Sequence, residues 1–326
     1  MQQIEKLMLE RAEKLLASKQ VQAVLGWARG DFYHDCSPAY FEKSEQLTNF
    51  VYNNFCGSNL SKYLIANSKK DEKIAVFLKV CDSYSFNQLL KENRIIKEKV
   101  LTIAIPCCGM LDINKLKQAN IRGLKAVKNN QEEIVITTTS GEHTVYKAEF
   151  LLDKCLVCKG KTHRSTDEAI GADIESYLPE IDKYAKLQEL ERLTTQERFE
   201  FWQAEFSKCI RCNACRDICP ACSCEKCVFD NPNSEMASKA NCDASEEQLY
   251  HLVRAFHVAG RCTDCGECSR VCPQGIPLHL INRKIIKDLN EFFGEYQAGE
   301  DLNSKSPLLD FSLEDSEAIL PRKENR

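Results

Sequence analysis

The stretch 209–220, CIRCNACRDICP, returns about fifty residues later as 262–273, CTDCGECSRVCP. Each run reads C-x-x-C-x-x-C-x-x-x-C-P, the spacing by which thiolates hold 4Fe–4S cubes in pairs. Three closely spaced thiolates wrap three corners of a cube, and the fourth Cys of each run crosses to the other cube. One cluster is therefore expected on Cys209, Cys212, Cys215 and Cys272, and a second on Cys262, Cys265, Cys268 and Cys219. Zinc sites usually show two separated C-x-x-C pairs instead of two runs ending in Cys-Pro, so iron–sulfur is the favoured reading. Clusters of this kind imply electron transfer.

Composition narrows the setting. The 326 residues allow two domains. Nineteen cysteines, an odd number, fit a disulfide framework poorly. The opening MQQIEKLMLERAEKLL has no apolar core or small-residue cleavage site of a secretory signal, and no stretch approaches the ~18 apolar residues of a membrane span. Clustered Cys in a reducing cytoplasm means metal, and oxygen-sensitive cubes point to an anaerobic context. The net charge of -4 is too small to call for a nucleic-acid or membrane partner.

Outward from the motifs, the first half alternates short apolar strands with helices, which predicts an α/β fold with a mostly parallel sheet. An amphipathic helix is expected over 4–19, strands at Val21–Ala28, Ile74–Val80 and Val100–Ile105, and helices at 41–66, Ser83–Glu92 and Ile113–Ala119. Ile134–Thr138 and Thr144–Phe150 read as a hairpin added at the sheet edge. Residues 1–178 form the expected α/β domain and 179–204 a charged helical connector, whose last helix starts at a Thr194/Glu197 capping box. Residues 205–290 are expected to be a two-cluster ferredoxin-like α+β domain, with Trp202 and Phe206 packing the connector on it. Residues 291–326 form an acidic tail without period, either unstructured or wrapping a partner.

A third cysteine set lies in the first domain. Cys81 follows one strand and Cys107-Cys108-Gly109 the next, outside the carboxyl ends where open α/β sheets place ligands. Cys155 and Cys158 add a C-x-x-C, enough thiolates for a further cube, and Cys56 in NNFCGSNL competes for the fourth position. Buried cysteines acting as small apolar residues are the simpler alternative. Past the first motif, Cys222, Cys224 and Cys227 follow Cys219 in CPACSCEKC, with Cys242 downstream. They read as a fourth metal site, iron–sulfur or zinc, or as spare thiols. His251 and His257, spaced i, i+6, do not share a helix face, and His163, Arg164 and Asp167 lie near Cys158 either to tune a cluster or as a solvated loop.

At these residues the chain resembles the beta subunits of deazaflavin-reducing hydrogenases and of formate dehydrogenases. The matching segments are LKVCDSYSFNQLL, IAIPCCGMLD and KCLVCKGKTHRSTDEAIGADI, followed by the two motifs, and they cover most of residues 20–290. The resemblance is nearest to short iron–sulfur versions of the family, which look like electron-transfer subunits beside formate dehydrogenase, hydrogenase or heterodisulfide-reductase-like partners. It implies a cluster on Cys107 (or Cys108), Cys155 and Cys158, with Cys81 as the fourth ligand. Full-length members bind FAD and a deazaflavin in a large domain after the C-x-x-C. Here only about fifty residues separate Cys158 from Cys209, and no glycine-rich dinucleotide fingerprint follows a strand, which counts against FAD. Two alternatives stay open: a flavin-containing beta subunit acting on a deazaflavin or nicotinamide, and a disulfide reductase of the CCG type, whose modules resemble the Cys107-Cys108-Gly109 element.

Overall fold

In the computed structural model, residues 1–67, 70–158, 162–171, 181–231, 233, 244–310 and 313 are described. The N-terminal part is built on a five-stranded sheet of β1 (Ala23–Arg29), β2 (Cys36–Phe41), β3 (Ile74–Leu78), β4 (Val100–Ala104) and β8 (Glu168–Ala169), in the order β2-β1-β3-β4-β8. β1, β3, β4 and β8 run parallel, and only β2 pairs antiparallel. β3 and β4 are buried along their whole length, as strands covered on both faces must be. Helix α1 (Gln2–Ala17) turns Ile4, Met8, Ala12 and Leu15 into that core, and α2 (Val80–Lys91) starts directly at the end of β3.

A second sheet holds β5 (Leu124–Asn130), β6 (Glu133–Thr138) and β7 (Glu142–Tyr146), all antiparallel. The hairpin expected at 134–150 thus forms, but it is not an edge extension of the parallel sheet. β2 occupies one edge of that sheet and β8 the other, so the hairpin pairs with β5 instead. The expected helix over 41–66 is also corrected. That region starts with the end of β2 and continues as 3-10 turns at Ser44–Asn49 and Leu60–Tyr63 with a short helix at Leu64–Asn67.

The C-terminal part is helical: α4 (Ala185–Arg192), α5 (Thr195–Phe206), α6 (Ala214–Asp217), α7 (Ala244–His257), α8 (Glu267–Arg270) and α9 (Leu278–Phe293), counting Ile113–Gln118 as α3. Among the described residues no strand follows Ala169, so the α+β character expected for 205–290 is not seen there. α5 opens on the capping box that the sequence predicts, Thr194 Oγ1 accepting from the Glu197 amide at 3.2 Å. Trp202 and Phe206 stack at 5.4 Å, and Phe206 is buried in a core with Cys215, Tyr250 and Cys268.

Between α9 and residue 310 the chain lies back across the N-terminal part. Arg164 pairs with Glu300 at 2.6 Å, and Lys91 bonds Ser304. Gly299, at φ +75°, is pressed against the Tyr84 carbonyl so closely that a Cβ would lie 1.9 Å from its oxygen, a place only glycine can occupy. No helix among the described residues is long and apolar enough to cross a membrane.

Candidate metal centres

The two ferredoxin-type loops have the same backbone. In the first, Arg211 (φ +50°) and Asn213 (φ +62°) are left-handed; in the second, the matching positions Asp264 (φ +52°) and Gly266 (φ +65°) are too. Each loop then enters a one-turn helix, α6 or α8, that carries the third Cys. Alternating left-handed residues turn successive amides toward the thiols, as the Arg211 amide at 3.4 Å from Cys209 Sγ shows. Left-handed Arg and Asp are unfavourable and need restraint. Arg211 Nε holds Glu247 of α7 at 2.9 Å, and Asp264 is held by Arg283 of α9 at 3.0 Å, all four side chains being buried.

One cavity is lined by Cys209, Cys212, Cys215 and Cys272, the set expected for the first cluster. Cys219 lies instead among the second run, since its charge acts on Cys262, Cys265 and Cys268. Cys272 therefore lies with the first run and Cys219 near the second. His251 lines the first cavity, and its two buried ring nitrogens have no protein partner. It stacks on Phe206 at 4.8 Å, and one of its nitrogens lies within 4.8 Å of Cys209 Sγ and a Glu247 oxygen. An orphaned N–H facing a four-thiol cavity fits a sulfur-rich group bound there.

The N-terminal thiols converge as well. Lys79-Val80-Cys81 follows β3, and Pro106-Cys107 follows β4, at adjacent carboxyl ends. A bridge between Leu111 and Leu151, with the Leu152 amide donating to the Met110 carbonyl at 2.8 Å, draws the C-x-x-C turn against the CCG loop. The Met110 amide then reaches Cys155 Sγ at 3.4 Å. Cys81, Cys107, Cys155 and Cys158 line one cavity. Cys108 does not line it. Cys56 faces away, beside Asn53 and Cys36. Burial pushes the Cys81 and Cys155 thiols up and Cys107 up to about 12. Bare thiolates are costly there, and a bound metal cation supplies the charge that makes them viable.

Sequence reading missed the cations at this cavity. Lys79 is 1% exposed, stacks 4.1 Å from the Trp27 ring centroid and pairs with Asp82 at 3.0 Å. Lys154 lies beside it and pairs with Glu267. Both stand within two residues of a Cys in the chain, but nothing in the sequence shows that a lysine is buried. The same cavity is also walled by Thr263, Asp264 and Cys265 of the second ferredoxin-type loop.

His163, Arg164 and Asp167 have structural partners. His163 Nε2 lies 3.0 and 3.1 Å from the Leu78 and Ile105 carbonyls, and Asp167 accepts from the Thr102 amide at 2.8 Å. Cys222, Cys224 and Cys227 line a separate cleft. Cys222 packs against Cys219, and its neighbouring thiol holds Cys219 down to about 6. Cys242 lies outside the described residues.

Comparison with known proteins agrees with the motifs. Residues 205–276 match the family described as the 4Fe-4S dicluster domain. The chain is 27% identical to the F420-dependent formate dehydrogenase subunit beta of Methanocaldococcus jannaschii, over 92% of both proteins. It is 24% identical to the F420-dependent formate dehydrogenase 1 subunit beta of Methanococcus maripaludis, over 88% of both. A chain of the F420-reducing NiFe hydrogenase complex from Methanosarcina barkeri aligns with a TM-score of 0.39 at 16% identity, over 48% of this chain and 62% of that one. The chain is thus similar, over about nine-tenths of its length, to proteins described as beta subunits of F420-dependent formate dehydrogenase, and its residues 205–276 match the 4Fe-4S dicluster domain.

Proposed function

We propose that this chain is the iron–sulfur electron-transfer subunit of a multi-subunit oxidoreductase. In this reading residues 1–178 hold one cluster on Cys81, Cys107, Cys155 and Cys158. Residues 179–204 connect to a two-cluster unit at 205–290, and 291–326 form a tail. When bound, such clusters supply one-electron transfer. The residues supply position and charge. Lys79 and Lys154 place buried positive charge beside the N-terminal thiols, and Arg254 lies among Cys215, Cys219 and Cys268. Positive charge of this kind favours the reduced state.

The observation that carries the reading is the shared wall: Cys265 of the second motif lines the same cavity as the N-terminal four. That arrangement supports a row running from the N-terminal site through the Cys262 set to the Cys209 set. The two ends of the row would serve two redox partners, a catalytic subunit such as a formate dehydrogenase, hydrogenase or heterodisulfide-reductase-like protein, and a second carrier. The isolated, reconstituted chain should reduce and oxidise dyes but turn over no formate, hydrogen, nicotinamide or deazaflavin. Activity should appear only with the catalytic partner and vanish in Cys265→Ser without loss of the complex. Turnover by the chain alone would defeat this reading.

A second reading has the relatives' names in its favour, since both are described as F420-dependent. A beta subunit that itself handles a deazaflavin would release extractable flavin after anaerobic purification, and the conduit would not.

A further inference from the structure

Of the seven cysteines outside the row, three share one loop. Cys222, Cys224 and Cys227 follow Cys219 within one loop and line a single cleft of about 340 Å³ between that loop and the end of α7. Four cations also line it: Lys62, Arg216, Arg254 and Arg261. Lys62 Nζ donates to the Cys222 carbonyl at 2.5 Å. Arg254 is buried, donates one Nη2 bond to the Cys215 carbonyl at 3.2 Å, and leaves its Nε without a partner. Arg216 and Arg261 are paired with acids, Arg216 with Asp217 and Asp230 and Arg261 with Glu92. The cleft thus brings three thiols, four cations and a buried donor together, with Glu225 of the loop also on its wall.

We propose that Cys222, Cys224 and Cys227 hold a further iron–sulfur cluster beside the second ferredoxin-type centre, a branch from the middle of the row to the surface. The proposal rests on the electron-transfer reading above. One observation favours iron–sulfur over zinc. A single zinc gathers its thiolates to roughly 3.8 Å from one another. Among the described residues, no three ligand atoms of this loop lie within 4.8 Å of one another. The thiols are spread around an open cleft, the arrangement a polynuclear cluster can bridge. Three closely spaced thiolates wrap three corners of a cube, as in each of the two motifs, and the fourth corner faces the open side. The alternative, three spare thiols, leaves the exposed Cys224 open to oxidation.

The step assigned to this centre is transfer of one electron to or from the cluster that Cys219 helps hold, with no bond made or broken and no proton moved. Cys222 packs against Cys219, its amide donating to the Cys219 carbonyl at 3.1 Å, so the two centres would be nearly in contact. Because Cys224 is exposed, the centre would give the row a third point of electron exchange, besides its two ends.

The test is iron, sulfide and zinc analysis of the full chain reconstituted anaerobically. Wild type should bind about sixteen irons, and Cys224→Ser/Cys227→Ser about twelve. That double variant leaves Cys222 in place beside Cys219, and the triple variant with Cys222→Ser should show the same loss. Equal iron in wild type and double variant, or one zinc lost in place of iron, overturns the proposal. A Cys265→Ser variant run in parallel must itself lose iron. If it does not, the electron-transfer reading has failed, and not this extension alone. Alkylation of the wild-type holoprotein gives a measurement that no variant's folding can spoil. Cys224 should resist iodoacetamide until a chelator strips the iron, and labelling before stripping overturns the proposal.

Discussion

Arg211 and Asp264 occupy the same left-handed position in the two ferredoxin-type loops and are clamped by buried ion pairs of opposite polarity. Arg211 is the cation of one pair, with Glu247, and Asp264 the anion of the other, with Arg283. A repeat that keeps the backbone while reversing the charges shows what the position requires: a side chain anchored to the long helix behind it. The identity of the charge is free as long as the helix supplies its partner.

Glu247→Ala should therefore do more than delete a salt bridge. It leaves the Arg211 guanidinium buried and unpaired in an unfavourable backbone conformation, a loss of about 3–5 kcal/mol. Anaerobic thermal unfolding should show the drop, and iron analysis should show loss confined to the cluster of Cys209, Cys212, Cys215 and Cys272. Arg211→Gly with Glu247→Ala should recover part of the stability, because glycine accepts the left-handed position and the buried charge is gone. A double variant no more stable than Glu247→Ala alone would contradict this account.

Glu267 ties the two parts of the molecule together. It is fully buried, accepts from the Asn59 amide at 3.1 Å, and pairs with Lys154 and with Arg270 at 2.8 Å. Burial pushes its carboxyl up, but Lys154 and Arg270 outweigh that and hold it well below the usual range. A depressed folded value means that the stabilisation is full above the ordinary glutamate range and is lost as pH falls through and below it. Glu267→Gln should lower the melting temperature at neutral pH and flatten its fall in acid. An acid slope as steep as that of wild type in the variant would place the titrating group elsewhere.

His251 offers a readout that a merely structural residue would not move. Its ring N–H has no protein partner and lies beside Cys209, and hydrogen bonds to cluster sulfur help set the potential. A donor stabilises the more negative, reduced cluster. His251→Leu should lower the midpoint potential of one centre in an anaerobic titration followed by EPR, and His251→Gln, which keeps a donor, should restore most of it. Iron content should stay constant throughout.

Much of this was legible in the chain, for physical reasons that differ by region. The two motifs are set by spacing alone, since cluster geometry demands it. β3 and β4 announce themselves as continuous apolar runs, IAVFL and VLTIA, because both faces are covered. The region after β2 was misread because its apolar residues invite a helix, whereas its asparagines bond locally. Asn53 Oδ1 accepts from the Phe55 amide at 2.8 Å, Asn59 Oδ1 from the Ser61 amide at 3.0 Å, and Asn54 reaches across to Asn129. Side chains of this type compete with the helical ladder. The hairpin's partner was illegible because it depends on β8, a two-residue strand with no pattern of its own, filling the sheet edge. Nothing in the sequence marks Glu267, Lys79 and Lys154 as charges whose side chains the fold buries.

The N-terminal centre can be tested ligand by ligand, because the structure separates cysteines that the sequence leaves in competition. Cys81, Cys107, Cys155 and Cys158 line the cavity, while Cys56 turns to Asn53 and Cys36 and Cys108 lies off the wall. Cys81→Ser, Cys107→Ser and Cys155→Ser should each remove about four irons or leave an incomplete cluster with altered EPR. Cys56→Ser and Cys108→Ser should keep full iron. The Cys56 change buries a hydroxyl in place of a thiol, so it should cost stability without touching metal content. Iron loss in Cys108→Ser with full iron in Cys107→Ser would exchange the two ligands. Full iron in all five variants would leave the N-terminal part without a cluster and end the row at the second ferredoxin-type centre.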